Sequence, residues 1–136
     1  MLGVCLTLAG CPDDGDGGDD GEAAGDEGLE IAGDYVDDFM TEHSITDELW
    51  SFAGASFVIE DYDNQAMWVI AQNHESNMYS PGLWSRFDWT WADDQLYYCQ
   101  TVFDGQTIED AQAVSADPGD LAKGCSGFSW STLSAS

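Results

Sequence analysis

His43 and His74 are the only imidazoles in the chain, and each has acids close by in sequence: Glu42 and Asp47 beside the first, Glu75 beside the second. An imidazole with a carboxylate can run acid–base chemistry when a nucleophile stands within reach. No Gly-x-Ser-x-Gly elbow or comparable nucleophile setting accompanies either pair. Both histidines therefore read as loop or strand-edge residues, and no residue receives a catalytic role. Carboxylate pairs suited to glycosidase chemistry can be drawn almost anywhere among 27 Asp plus Glu, so such a pair decides nothing. Arg86 lies two residues from Asp88 on the polar face of an aromatic strand. It could grip an anionic ligand, but the expectation is a pair with a cross-strand carboxylate. The chain holds six Trp, five Tyr and six Phe, more than one face of a small sheet has to bury. Trp84, Trp89, Trp91 and Tyr98, with Arg86, are the candidate ligand residues. Aromatic faces can stack sugars or hold an apolar molecule, and filling a core poor in Leu and Ile is the alternative use.

The stretch Leu83 to Phe103 must position most of these side chains. Phe87, Trp89 and Trp91 alternate with Arg86, Asp88 and Thr90, the period-2 pattern of a strand with one buried face. Ala92 to Gln95 supplies turn residues before Leu96 resumes an aromatic run, which makes a central β-hairpin. Phe57 to Tyr62 and Ala66 to Gln72 form a second hairpin around Asp63-Asn64-Gln65. Ile31 to Phe39 opens the domain as a strand with Ile31, Tyr35 and Phe39 inward. Glu42 to Thr46 is a second strand, and Asp47 to Trp50 turns into Ser51-Phe52. Asn73 to Gly82 is a polar loop. Thr107 to Val114 reads as a short helix capped by Thr107, with Glu109 and Asp110 in its first turn. Phe128 to Trp130 ends the domain as a short strand or edge. The fold class is all-β: a small antiparallel barrel or curled sheet of about six to eight strands with one short helix near the C-terminus.

Against the acids stand only Arg86 and Lys123, for a formal net charge of −25. Such a surface repels phosphate backbones, so a nucleic-acid partner is not expected. It also disfavours electrostatic adhesion to anionic membranes. It favours solubility and attraction of cations or basic partners. Residues 31–136 are enough for one domain that folds alone as a monomer.

The first ten residues, MLGVCLTLAG, are apolar and end in small residues before Cys11. Leu8-Ala9-Gly10-Cys11 resembles the lipobox of bacterial lipoprotein signal peptides. The resemblance implies removal of residues 1–10 and diacylglycerol on the Cys11 thiol, a durable anchor when several acyl chains insert. The chain departs from that pattern in having no Lys or Arg before the apolar run, which suggests a start upstream of Met1. No apolar run approaches the eighteen residues that a spanning helix needs. The expected place is the bacterial cell envelope, with the protein anchored to the membrane rather than spanning it. Pro12 after the Cys favours the outer membrane or cell surface.

Residues 11–30 hold nine acids and many Gly, a composition that cannot bury enough surface to order itself. They read as a tether with an r.m.s. reach of about 24 Å. Asp16, Asp20, Gly21 and Glu27 match positions of an EF-hand loop, but Gly18 stands where a ligand is required and flanking helices are missing, so calcium is not expected.

Processing of the lipobox kind removes Cys5 and consumes Cys11. It leaves Cys99 and Cys125 to pair in an oxidising compartment. Two Cys with two scattered His lack zinc-ligand spacing, and no Cys-x-x-Cys suggests redox catalysis. Neither a metal nor a cofactor is implied. Two further resemblances bear on fold. Gly33-Asp34-Tyr35 is similar to the Gly-x-Trp opening of lipocalin-type barrels, with Tyr35 in place of the Trp. Phe87 to Thr90, Leu96 to Gln100 and Gly124 to Trp130 resemble motifs of uncharacterised acidic, aromatic-rich bacterial lipoproteins, which carry no activity across. The expectation is a non-catalytic binding or interaction module for a small apolar or carbohydrate ligand or a protein partner. The alternatives are a structural envelope protein and a carboxylate-dependent hydrolase.

Overall fold

A computed structural model describes residues 28–136. Cys11, the apolar leader, most of the acidic stretch and the EF-hand-like positions lie outside the described residues. The barrel unit runs from Ile31 to Ser136. Its elements are β1 (Gly33–Asp37), β2 (Glu42–Ile45), β3 (Leu49–Phe52), β4 (Ala55–Asp63), β5 (Trp68–Asn73), β6 (Trp84–Ala92), β7 (Gln95–Gly105), α1 (Ile108–Gln112) and β8 (Ser131–Ala135). The eight strands follow one another antiparallel around a closed barrel, and β8 pairs with β1 to complete it. Closure leaves no free sheet edge.

Turn chemistry sets the hairpins. Asp93 and Asp94 have φ of 52° and 65°, the left-handed pair that a two-residue β6–β7 connection needs and that Asp tolerates. Asp63 Oδ1 accepts from the backbone N–H groups of Gln65 and Ala66, which turns β4 into β5. A register shift between Ile59 and Asp61 bends β4 around the barrel.

Alternation then decides which side chains enter. His43, Trp50, Phe52, Phe57, Phe87, Trp89 and Tyr98 lie on the inward face, and they meet ring against ring. Trp50 stacks on Phe87 at 4.2 Å between centroids, and Phe57 meets Phe87 edge-on at 5.2 Å. Aromatic pairs at such separations contribute beyond their buried area. Phe87, Trp89, Trp50, Val69, Leu96 and Leu133 are fully buried.

The outer face of β5, β6 and β7 is covered as well. Helix α1 and the segment leading to β8 lie over it, so Ile70, Arg86, Asp88, Thr90 and Cys99 are also buried. A disulfide between Cys99 and Cys125 ties that covering segment to β7, the pairing expected from the sequence. Thr107 caps α1 as expected, its side chain accepting from Asp110 N–H.

Three expectations change. Phe39 is not inward but 77% exposed in the β1–β2 turn, because β1 ends at Asp37, whose carboxylate binds the Phe39 and Thr41 N–H groups and curls the chain there. Leu49 and Trp50 belong to β3, not to a turn. The last strand is Ser131–Ala135 rather than Phe128 to Trp130; Phe128 pairs back only to Cys125 in an isolated bridge and is exposed.

Candidate functional site

The barrel has two different ends. One gathers the β1–β2 and β3–β4 turns, the long β5–β6 loop and the exit of β7, and here a hollow of about 710 Å³ opens to solvent. Its lining includes Phe52 and Phe57 from inside the barrel and Met78, Tyr79 and Phe103 at the rim. Met78, Tyr79 and Phe103 are 82%, 78% and 56% exposed, so the rim is an unburied apolar surface. A hollow of this size with mainly apolar walls is within the range of small-molecule sites.

Amide side chains build the rim. Asn77 accepts from Ser56 N–H at 2.9 Å and donates to Ser56 C=O at 2.8 Å, fastening the β5–β6 loop to the start of β4. Asn73 Nδ2 donates to Ser80 C=O and Phe103 C=O, each at 2.8 Å, holding the same loop against β7. Ser85 donates to Asn73 Oδ1 and receives a bond from Gln100 Nε2. These bonds fasten the backbone of the loop that brings Met78 and Tyr79 to the opening, and they occupy the polar atoms that make them.

Beneath Phe52 lies a buried dyad. His43 stacks on Phe52 at 4.5 Å, and its Nε2 lies 2.9 Å from Asp37 Oδ2. Trp50 Nε1 can only donate, and it donates to His43 Nδ1 at 3.1 Å. His43 is therefore neutral with its proton on Nε2, directed at Asp37. Burial is the chief reason the imidazole pKa is held below its ordinary value, and Asp37 only partly offsets it. Burial would raise the Asp37 pKa, but hydrogen bonds from His43, Thr41 and Phe39 outweigh it and the net direction is downward. Burial also pushes the Tyr98 hydroxyl well above its ordinary value, helped by the charges of Asp37 and Asp38. With both ring nitrogens engaged, His43 has none left to take a proton from a nucleophile.

The acids nearest His43 in sequence are not its partner; Asp37 is, across the β1–β2 hairpin, and His43 belongs to the core rather than to a strand edge. His74 does lie in a loop, where its Nδ1 meets the Ser76 hydroxyl and N–H.

The five candidate ligand residues are not brought together. Trp89 and Tyr98 face one another inside the barrel below the mouth. Trp91 is 48% exposed beside the β6–β7 turn, at the opposite end. Trp84 and Arg86 lie on the outer face. Arg86 pairs with Asp88 of its own strand, Nη2 to Oδ1 at 3.0 Å, not with a cross-strand carboxylate. Strand pairing places Ile70 and Val102 opposite Arg86, so no cross-strand carboxylate faces it. The guanidinium also donates to Gln112 C=O and lies 5.7 Å from the Trp68 ring centre. The Thr101 hydroxyl and the Ala116 N–H donate to Asp88 Oδ2, completing a buried network under α1.

Sequence reasoning missed the mouth because residues 73–82 read as a polar loop. The usable signal was Met78-Tyr79, two large apolar side chains in a segment with no burial pattern to explain them. Among the described residues no group of three His, Cys, Asp or Glu is placed to hold a metal ion, and no helix is long and apolar enough to cross a membrane. No protein-family model matches the chain, and neither does any curated protein or solved structure.

Proposed function

We propose that this protein is a lipid-anchored module of the bacterial cell envelope that binds a small molecule in the mouth of its barrel and performs no catalysis. The observation that carries the binding reading is the hollow of about 710 Å³ walled by Phe52, Phe57, Met78, Tyr79 and Phe103. The Asn73 and Asn77 bonds fasten the backbone of the loop that carries Met78 and Tyr79, which lowers the ordering cost of capture. The anchoring reading rests on Leu8-Ala9-Gly10-Cys11 and on the acidic stretch that follows, and the Cys99–Cys125 bond is the kind that persists outside the cytoplasm. Titration of the purified protein with N-phenylnaphthylamine, a neutral apolar fluorophore, tests binding. Saturable enhancement, lost in the Tyr79→Ser/Phe103→Ser double variant, is expected, and its absence in the parent protein counts against the site. Mass spectrometry of protein from bacterial membranes tests the anchor: lipid on Cys11 is expected, and an unmodified soluble chain refutes it.

A structural envelope protein is the second reading. The close ring packing of Trp50, Phe87, Phe57 and Tyr98 below the mouth favours it, since these aromatic side chains fill the interior against one another.

A further inference from the structure

The mouth presents apolar rings, yet the surface around it carries one sign of charge. Glu75 stands in the same loop as Met78 and Tyr79, Asp104 follows Phe103, and Asp38 precedes Phe39 in the neighbouring turn; all three acids are exposed. None of the residues lining the hollow is basic. Of the two bases in the chain, Arg86 is buried against Asp88 under α1. Lys123 lies in the segment between α1 and β8. An anionic head group at the mouth would meet repulsion with no local cation to relieve it, whereas a cation would be attracted from several directions.

The polar atoms of the lining restrict the ligand further. A sugar site needs side chains free to donate and accept alongside its aromatic platform. Here the Asn77 amide is engaged with Ser56 at both ends, and the Asn73 amide is engaged with Ser80, Phe103 and Ser85. Beside the Ser80 hydroxyl and the Gln100 amide oxygen, what the lining offers a ligand is chiefly apolar surface and aromatic faces, and aromatic faces attract alkylammonium groups.

We infer that the mouth selects a cationic amphiphile: an apolar chain inserted against Phe52 and Phe57, with an ammonium-type head held at the rim by Tyr79, Phe103 and the surrounding carboxylates. This rests on the binding reading above and narrows it to one ligand class. Phe52 and Phe57 form the floor and supply affinity for any chain, whereas the rim and its field supply discrimination between heads.

The test uses the full-length protein, decyltrimethylammonium, decyl glucoside and decanoate below their micelle concentrations, and cellotetraose, each titrated calorimetrically. Decyltrimethylammonium is expected to bind one to one and about tenfold more tightly than decanoate at low salt, a gap that closes as salt screens the rim charges. Tyr79→Ser/Phe103→Ser, at positions too exposed for the fold to depend on them, is expected to weaken that binding about tenfold. Tetramethylammonium, lacking the chain, is expected not to bind measurably. Decanoate binding as tightly as the ammonium compound overturns the charge selection but leaves a ligand site at the mouth. So does binding of cellotetraose alone. Ammonium binding that is unchanged in the double variant shows general surface attraction and overturns the inference. If neither N-phenylnaphthylamine nor any of these compounds binds, the binding reading itself falls with it.

Discussion

Trp50 and Trp89 are two fully buried indoles inside one barrel, and they differ in a single bond. Trp50 Nε1 donates to His43, whereas Trp89 Nε1 is buried with no hydrogen-bond partner among the described residues. Replacing either with Phe removes the same atoms, but only Trp50→Phe strands the His43 Nδ1 acceptor. Trp50→Phe is expected to cost about 1–3 kcal/mol more than Trp89→Phe in urea unfolding. The same dyad makes stability depend on pH. The folded pKa of His43 lies below its ordinary value of 6.5, so the unfolded chain takes up the proton first. Its stabilisation is complete above about pH 6.5 and is lost as pH falls from there toward the folded value. Asp37, also lowered, keeps its contribution above 3.8 and loses it as pH falls through its folded value. Urea midpoints should therefore fall between pH 7 and pH 5 in the parent protein, and His43→Gln should flatten that part of the profile. None of this was legible from sequence neighbours: Glu42 and Asp47 are closest along the chain, but the β1–β2 register and the Asp37 turn bring a different acid to the ring.

At the scale of elements, the covering of β5–β7 by α1 and the segment up to β8 explains why both faces of β6 are buried. The Trp-rich strand shows alternation in sequence, and alternation alone predicts one wet face. The covering segment removes that face from water and must satisfy what it buries, which the Arg86–Asp88 pair, Thr101 and the Gln112 and Ala116 backbone groups do. Arg86→Ala leaves Asp88 buried and uncompensated and is expected to cost about 3–5 kcal/mol; Arg86→Met with Asp88→Leu should recover most of it. The Cys99–Cys125 bond closes a separation of 26 residues around this covering. In the chain-entropy view its removal by Cys99→Ser/Cys125→Ser is worth about 3.5 kcal/mol. Comparing denaturant midpoints of the variant and the parent with and without reductant checks that figure, since only the parent should respond to reductant.

Over the whole molecule, a net charge of −25 opposes compaction. Salt screens exposed charges with a Debye length of about 10 Å at 0.1 M and 3 Å at 1 M. Thermal midpoints should therefore rise as sodium chloride goes from 0.01 M to 1 M, whereas a protein stabilised by surface ion pairs would show the opposite trend. The closed barrel confers tolerance of this repulsion, because each strand pairs on both sides and the interior is mainly aromatic and apolar. By itself the sequence determined the all-β class, the two central hairpins, the helix cap at Thr107 and the pairing of Cys99 with Cys125, the two cysteines of residues 31–136, because each follows from local periodicity, turn chemistry or simple counting. Only the tertiary structure decided that eight strands close on themselves, that His43 answers to Asp37, that Arg86 is locked under a helix, and that Met78, Tyr79 and Phe103 ring an opening. Those outcomes depend on register and on which distant segments meet, and a side chain's neighbours across a barrel leave no periodic mark along the chain.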